Sequence, residues 1–262
     1  MSLKNEPLSF SSLSRFAQSP LAFVHYKTAP RTQTPAMLLG TLVHRRILEP
    51  EEYTRTVVVW DGARRGSDWK EFAQEHVSST IITRAESDKI EAITDSVRMN
   101  RTACNILGQC TDRELQVKWT HEGVAHRGYV DACGPGIVVD LKVTQSVSER
   151  DLQRVIFERR YYMQAAMYMH GLEDNGWDME DAYIIAVESQ APHHVRVCQL
   201  PPHYIVRGHH EWVELVDRFR DWDGIPNHTH DGDGVTTIDA PSWAPVPNGI
   251  WGDQRTRKGQ TV

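Results

Sequence analysis

The chain has 262 residues, of which 40% are hydrophobic and 24% are charged, and its formal net charge is -6. This composition is close to the globular average and excludes a collagen-like or wholly disordered chain, and the length predicts one large domain, or at most two. No apolar run reaches the ~18 residues that a membrane span needs, and the four cysteines form no CxxC pair. We therefore expect a cytoplasmic protein with reduced thiols. The acidic balance argues against a nucleic-acid partner, because phosphate binding normally leaves a basic surface.

The N-terminal part of the chain is predicted to be helical. Phe10–Ala29 is expected to form two short helices, and the second begins with Ser19 as its cap and Pro20 in its first turn. Met37–Leu48 predicts a third helix, because apolar side chains recur there at helical spacing, namely Leu39, Leu42, Val43 and Ile47.

The rest of the chain alternates between strands and helices. Val57–Trp60 predicts a short strand, and the capping box of Thr83 and Glu86 opens a long helix that runs to about Leu107. The later elements are three strands, a long helix, two strands and a final helix, at Glu114–Thr120, Val124–Ala132, Ile137–Thr144, Glu149–Leu172, Asp181–Glu188, Val195–Leu200 and Tyr204–Trp222. This order predicts a mixed α/β or α+β domain around one central sheet.

The chain is expected to form a single domain with a tail. Residues 1–222 comprise a helical N-terminal part at 9–107, a core at 112–200 and a closing helix at 203–222. Residues 223–262 are rich in proline and glycine, which predicts an arm or a tail. The tail carries His228, His230, Asp231 and Asp233. No predicted helix fixes these four side chains, so the sequence favours a polar loop over a metal site.

Two carboxylates and a lysine are predicted to meet at the end of the sheet. Asp140 and Lys142 are two residues apart on one strand, so their side chains project from the same face. A tight turn at Gly134–Gly136 makes the preceding strand a neighbour, which places Asp131 near Asp140. Such a group is costly to bury without a cation, and Mg²⁺ prefers oxygen ligands such as these carboxylates and the carbonyl of Leu141. Lys142 is then placed to position or deprotonate an attacking water.

The DxK tripeptide alone is common and more often forms a salt bridge across a strand, but its surroundings favour a site. The segment resembles the PD-(D/E)xK nuclease superfamily, in which a hairpin aspartate and (D/E)xK precede a helix with QxxxY, here Gln164 and Tyr168. QxxxY is typical of the branch with the RecB nuclease domain, lambda exonuclease and the RecE-type exonuclease (exonuclease VIII). The RecE type is the most similar, since its N-terminal signatures resemble SFSSLSRFAQSPLAFVHYK and GTLVHRRILEPEEY.

This resemblance implies a restriction-endonuclease-like core, in which helices flank a central mixed β-sheet. It implies catalytic roles for Lys142, Asp140, Asp131, Glu114, Gln164 and Tyr168. It also implies that His44 and Glu114 join the two aspartates as metal ligands. On its own, His44 would more often be a packed core histidine and Glu114 a solvated carboxylate. Tyr129 departs from the family pattern, because a basic residue often stands two positions before the hairpin aspartate.

Arginines near these motifs are candidates for phosphate contacts. The expected DNA-binding residues are Arg150, Arg154, Arg160 and Arg45, with a second cluster at Arg46, Arg64 and Arg65. Charged helix faces are usually only solvated, so this expectation depends on where the site lies.

The function that the resemblance implies is a Mg²⁺-dependent exodeoxyribonuclease, with Mn²⁺ able to substitute. It would degrade linear double-stranded DNA processively from 5′ to 3′ and leave 3′ single strands for annealing-type recombination. The family also implies a ring-shaped homo-oligomer (trimer or tetramer), a RecT-like single-strand annealing partner, and a phage or prophage origin in a bacterial cytoplasm.

Two alternatives stay open, namely a structure-specific endonuclease of the same superfamily and a catalytically silent DNA-binding module. The sequence lacks GxxxxGK[ST] and GxSxG, which gives no support to an ATP-driven motor or a serine hydrolase. If DNA is the substrate, the net negative charge predicts that positive potential is confined to one face, and that binding weakens with added salt.

Overall fold

The computed structural model of the protein describes residues 3–30, 32–226 and 235. The predicted tail at 223–262, with His228, His230, Asp231 and Asp233, lies outside the described residues except for 223–226 and 235. Within the described ranges, no helix has both the length and the apolar character that crossing a membrane requires.

The predicted elements occur in the predicted order, and the structure adds helices at 50–56 and 66–75 and a strand at 80–83. The helices are α1 Phe10–Gln18, α2 Pro20–Thr28, α3 Pro35–Leu48, α4 Pro50–Thr56, α5 Gly66–Glu75, α6 Arg84–Met99, α7 Arg101–Gln109, α8 Glu149–Glu158, α9 Tyr161–Asp174 and α10 Pro202–Asp221. The strands are β1 Val57–Trp60, β2 Thr80–Thr83, β3 Asp112–His121, β4 Val124–Gly134, β5 Gly136–Thr144, β6 Met179–Glu188 and β7 Val195–Leu200.

Five strands form one mixed sheet in the order β3-β4-β5-β6-β7. β3, β4 and β5 are antiparallel neighbours, β5 and β6 run parallel, and β6 and β7 are antiparallel. The parallel pair is joined by α8 and α9, which is the crossover that such a pair needs. Strands β1 and β2 form a separate parallel pair. The predicted fold class, a central mixed sheet flanked by helices, is confirmed.

Each face of the sheet is covered by its own set of helices. On one face, α1, α2, α9 and α10 contribute large buried side chains, including Phe16, Phe23, Met163, Trp212 and Phe219. On the other face, α3, α6 and α7 contribute Val43, Ile90, Ile93 and Ala103. Alternation along β5 sends Val138 to the first cluster and Val139 and Leu141 to the second. Asp140 and Lys142 therefore lie on the α9 side of the strand.

Two helices that the sequence predicts as continuous are each broken, so both predictions are wrong at the break. The predicted helix from Thr83 to Leu107 divides at Asn100, because the Asn100 side chain accepts a hydrogen bond from the Ala103 N–H at 3.0 Å and caps α7. The predicted helix Glu149–Leu172 divides at Arg160, whose φ of 54° is left-handed. This second break separates the surface helix α8 from the largely buried α9.

Candidate active site

The candidate site lies where β4 and β5 separate. The two strands pair only over Ala132–Gly134 and Ile137–Val139. Asp131 and Asp140 are the next residues outward, so they stand at the fork between the strands. Beyond this point β4 continues beside β3, and β5 continues beside β6. The fork gives side chains from α3 and α9 access to the same point.

Three side chains at the fork form a group that can hold a cation. His44 of α3, Glu114 of β3 and Asp131 each offer a ligand atom, and these atoms lie within 4.8 Å of one another. His44 Nδ1 is 3.5 Å from Asp131 Oδ2, and the Leu141 N–H donates to the same oxygen at 2.7 Å. An adjoining polar cavity of about 280 Å³ is lined by Gly40, Thr41, His44, Arg45, Glu49, Glu114 and Asp131.

The position of Glu114 is unfavourable unless a cation is bound. The residues that flank Glu114 pair with those that flank Asp131, so the register places the two acids opposite each other. Like charges directly opposite in a sheet are destabilising. The φ of Glu114 is 47°, a left-handed conformation that costs of order 1–3 kcal/mol for a residue with a side chain. Burial, with a contribution from Asp131, raises the pKa of Glu114 to about 7.

Across the fork, Asp140 and Lys142 project together as their spacing predicts. Lys142 Nζ lies 2.7 Å from Asp140 Oδ1 and 2.6 Å from Oδ2. Gln164 Nε2 donates to Asp140 Oδ1 at 3.3 Å, and Gln164 Oε1 lies 3.4 Å from Lys142 Nζ. Although the ammonium is close to Asp140 Oδ2, no described donor reaches this buried oxygen with hydrogen-bond geometry. Asp140 is not one of the three side chains whose ligand atoms gather within 4.8 Å, and Lys142 is paired with it, so its role as a metal ligand stays a prediction.

The charges at the fork depend on one another. Burial opposes the charged form of His44, but Asp131 outweighs this effect and raises the pKa of His44. Burial likewise opposes ionisation of Asp131, but His44 and Lys142 outweigh it and lower the pKa of Asp131. For Asp140 burial prevails over the attraction of Lys142 and raises its pKa. The pKa of Lys142 is raised, because the two aspartates outweigh its burial.

Helix α9 presents a polar stripe to the fork. Tyr161, Gln164 and Tyr168 are at i, i+3 and i+7, on one face of the helix. Lys142 Nζ lies 4.6 Å from the centre of the Tyr161 ring, a cation–π contact. Tyr168 packs against Gly128 of β4, where an added Cβ would come within 2.6 Å of the ring. Burial raises the pKa of Tyr168 to about 12, so its hydroxyl stays protonated at neutral pH.

Tyr161 is a site residue that the sequence reasoning missed. Its spacing could have revealed it, because Tyr161 lies three residues before Gln164 and therefore on the same helix face. Leu141, by contrast, contributes its N–H to Asp131, while its carbonyl stays a predicted metal ligand.

A cleft of about 1110 Å³ borders the site beyond Lys142. Its walls are the start of α3, α6, the end of β5 and α8, and Tyr161 also lines it. Charged side chains of both signs lie on these walls, namely Arg64, Lys89, Arg154, Arg159, Glu86, Asp151 and Glu158. The charge of this cleft is therefore mixed.

The predicted phosphate contacts are only partly gathered at the site. Arg45 lines the small cavity, and Arg154 lines the cleft, where it lies 3.9 Å from Asp151. Arg150 is exposed on α8. Arg160 does not share a helix turn with Gln164, as the sequence suggested, because it is the left-handed residue before α9.

The second arginine cluster is dispersed. Arg46 forms an ion pair with Glu91 at 2.7 Å, and Arg64 forms one with Glu86 at 3.3 Å. Arg65 is exposed. These contacts already engage Arg46 and Arg64 within the domain, so neither cation is as available to phosphate as the sequence suggested.

Comparisons with known proteins show the family and the fold of this chain. A family model described as a PDDEXK-like domain of unknown function (DUF3799) matches residues 9–223. No curated protein matches the chain. The crystal structure of a candidate exonuclease from Eubacterium rectale has a TM-score of 0.62 at 16% identity, over 83% of this chain and 81% of that chain, which shows a shared fold. A phage-related exonuclease from Haemophilus somnus 129PT has a TM-score of 0.38 at 12% identity, over 84% of this chain and 95% of that chain.

Proposed function

The chain belongs to the family of PDDEXK-like domains, and we propose that it is a Mg²⁺-dependent exodeoxyribonuclease acting on the ends of linear double-stranded DNA. One observation carries the proposal. Asp131, Asp140 and Lys142 meet at the fork between β4 and β5, with His44 and Glu114 on one side and Gln164 on the other. This arrangement combines a cation site with a buried ammonium, and both groups can stabilise the charge that develops during phosphodiester hydrolysis.

His44, Glu114 and Asp131 would hold a divalent cation, which supplies Lewis-acid activation of the attacking water and the scissile phosphate. Lys142 donates from its ammonium to a phosphate oxygen that gains charge in the transition state. Gln164 contacts both Asp140 and Lys142, and so fixes the direction of each. The water oxygen forms a bond to phosphorus, the bond to the 3′ oxygen breaks, and a proton passes from the water to that leaving oxygen.

The finer features of the proposal rest on the sequence signatures of the RecE type. These features are processive 5′-to-3′ degradation, a ring-shaped trimer or tetramer, a RecT-like annealing partner, and a phage or prophage origin in a bacterial cytoplasm. Their support is the order of motifs from Ser9 to Leu200, in which Gly40, His44 and Pro50 also match.

The test compares wild type with Lys142→Ala on linear duplex DNA that carries a label at either the 5′ or the 3′ end. We expect Mg²⁺-dependent release of nucleotides by wild type, beginning at the 5′ end, and a rate ~10²- to 10³-fold lower for Lys142→Ala. The Lys142→Arg variant is the matched control, because it keeps the charge but changes the geometry of donation.

Covalently closed circular DNA separates the exonuclease from its rivals. An exonuclease leaves the circle intact, whereas cutting of the circle favours a structure-specific endonuclease. If neither Mg²⁺ nor Mn²⁺ supports any cleavage, a silent DNA-binding module is the correct interpretation.

A further inference from the structure

Beyond Asp131, the hairpin of β3 and β4 has one buried and one exposed face. Its buried side chains are Val117, Trp119, His126 and Val130. The residues that alternate with these are exposed, and they include Gln116, Lys118, Arg127 and Tyr129. The register pairs Gln116 with Tyr129 and Lys118 with Arg127. We call these four residues the hairpin track.

The outer pair of the hairpin track consists of two cations directly opposite each other. Like charges in this position are destabilising unless a counter-ion lies between them. Neither Lys118 nor Arg127 forms an ion pair with any residue in the described part of the chain. Glu6 lies near Arg127 but forms its ion pair with Lys27 at 2.9 Å. The pair is therefore available to an external anion.

The inner end of the hairpin track leads directly to the candidate active site. The same register places Glu114 opposite Asp131, four residues along each strand from Lys118 and Arg127. At ~3.3 Å per residue, this separation is about 13 Å. Paired acids that suit a cation and paired bases that suit an anion thus lie in line on one hairpin. An extended nucleic-acid strand covers this span in roughly two nucleotides.

The middle of the hairpin track offers an aromatic surface. Tyr129 is 54% exposed, and the Gln116 side chain donates to its hydroxyl at 2.6 Å. This hydrogen bond fixes the ring on the surface without covering it. Exposed aromatic rings between basic residues are the surfaces on which nucleobases stack.

We propose that the hairpin track binds the DNA strand that is cut, with Lys118 and Arg127 on a phosphate roughly two nucleotides from the scissile one and Tyr129 against the intervening base. This inference rests on the proposed function, because it takes the fork as the position of the scissile phosphate. It adds a phosphate subsite on β3 and β4, away from the arginines of α3 and α8.

The first test measures affinity for a linear duplex in the Lys142→Ala background with Mg²⁺, where cleavage is suppressed. Lys118→Gln/Arg127→Gln should raise Kd about tenfold or more. The slope of log K against log[salt] should become shallower by about 0.7 to 0.9, since one phosphate loses its cationic partners. The matched control is Lys70→Gln/Arg101→Gln, which removes the same charges from exposed positions on α5 and α7, and it should alter Kd by less than threefold.

The second test locates the phosphate. Substrates that carry one neutral methylphosphonate at successive positions should lose most affinity when the replaced phosphate is roughly two nucleotides from the scissile one. This loss should disappear in Lys118→Gln/Arg127→Gln and persist in the charge-retaining Lys118→Arg/Arg127→Lys. Thermal unfolding checks the fold, and the Gln variant should be as stable as its parent, because a like-charge pair is removed.

The outcomes separate the two proposals. If wild type cleaves DNA but the Gln variant matches the Lys70/Arg101 control in Kd and salt slope, the hairpin track is overturned and the nuclease stands. A methylphosphonate effect that persists unchanged in the Gln variant also overturns the track. If wild type cleaves no DNA with Mg²⁺ or Mn²⁺, both proposals fail.

Discussion

Strand β4 borders two histidines whose surroundings act on their pKa in opposite directions. His44, from α3, lies 3.5 Å from Asp131 of β4, and its pKa is raised because that carboxylate outweighs the effect of burial. His126 is part of β4 and is 1% exposed. Burial lowers the pKa of His126 to about 4. Its Nε2 accepts from the indole N–H of Trp212 at 3.3 Å, and its Nδ1 lies 2.8 Å from the Val124 carbonyl oxygen.

The difference between these histidines shows how one strand serves both chemistry and stability. Around His126 the neighbours are aromatic rings, with Trp119 stacked at 5.2 Å and Trp212 edge-on at 5.4 Å between ring centres. Around His44 the neighbours are acids, one of them in a left-handed backbone conformation. Close packing of the aromatic rings around His126 stabilises the folded state. The fork instead holds buried charges whose cost is offset by ion pairs and by the Leu141 N–H.

The largest expected effect is on stability and concerns the aromatic rings around His126. Trp212 is fully buried, so Trp212→Ala should lower the free energy of unfolding by about 3–5 kcal/mol through the cavity it leaves. Urea denaturation measures the loss. The activity of each folded molecule should stay within about threefold of wild type, because no rearrangement of the fork is required.

Trp212→Phe is the control for that experiment. It keeps a ring in the cluster but removes the hydrogen bond to His126, which is worth about 1 kcal/mol. If either variant abolishes activity while most of the protein is still folded, the separation between the aromatic rings around His126 and the fork is wrong.

A second, smaller effect concerns pH in the metal-free protein. The pKa of Glu114 is about 7 in the folded state, against a usual value of 4.5. The folded protein therefore binds this proton more tightly than the unfolded chain, and stability from Glu114 is lost as pH rises from 4.5 to 7. His44, with its raised pKa, acts in the same direction at higher pH. His126 acts in the opposite direction, since stability is lost as pH falls from 6.5 towards 4.

Glu114→Gln isolates the contribution of the fork from that of His126. In EDTA, the unfolding free energy of the variant minus that of wild type should grow between pH 4.5 and 7, to at most about 3 kcal/mol. Mg²⁺ should reverse the order, because wild type then gains binding free energy that the variant lacks. A difference that is independent of pH would show that Glu114 ionises normally.

Much of the site is visible in the sequence because its residues are local. Asp140 and Lys142 are two residues apart on one strand, and Gln164 and Tyr168 are four apart on one helix, so periodicity alone groups each pair. The family resemblance predicts that the two pairs belong to one site. The match to the PDDEXK-like family confirms the resemblance and the prediction of a nuclease. The roles of the individual residues stay predictions.

The features that the sequence hides depend on backbone breaks and on cross-strand register. The left-handed conformations of Glu114 and Arg160 interrupt patterns that would otherwise continue. Lys118 lies opposite Arg127 only in the observed register of β3 and β4. That register depends on the geometry of the turn at 121–123, which the sequence alone does not define. The small unit of β1, β2 and α5 was also only partly predicted, because the sequence indicates β1 but neither of its partners.

The smallest expected effect is on catalysis and concerns Tyr161, which contacts the fork and not the aromatic cluster around His126. Its ring lies 4.6 Å from Lys142 Nζ, whereas Trp119 and Trp212 beside His126 pack against each other and against its imidazole. A cation–π contact of this kind is worth about 1 kcal/mol. Tyr161→Leu should therefore lower kcat about five- to tenfold with KM for DNA unchanged, because Lys142 loses its orientation but the DNA contacts persist. Tyr161→Phe keeps the ring and should retain at least half of wild-type kcat. If Tyr161→Phe loses as much kcat as Tyr161→Leu, the role belongs to the hydroxyl. If KM changes as much as kcat, Tyr161 acts in DNA binding along the cleft that it lines.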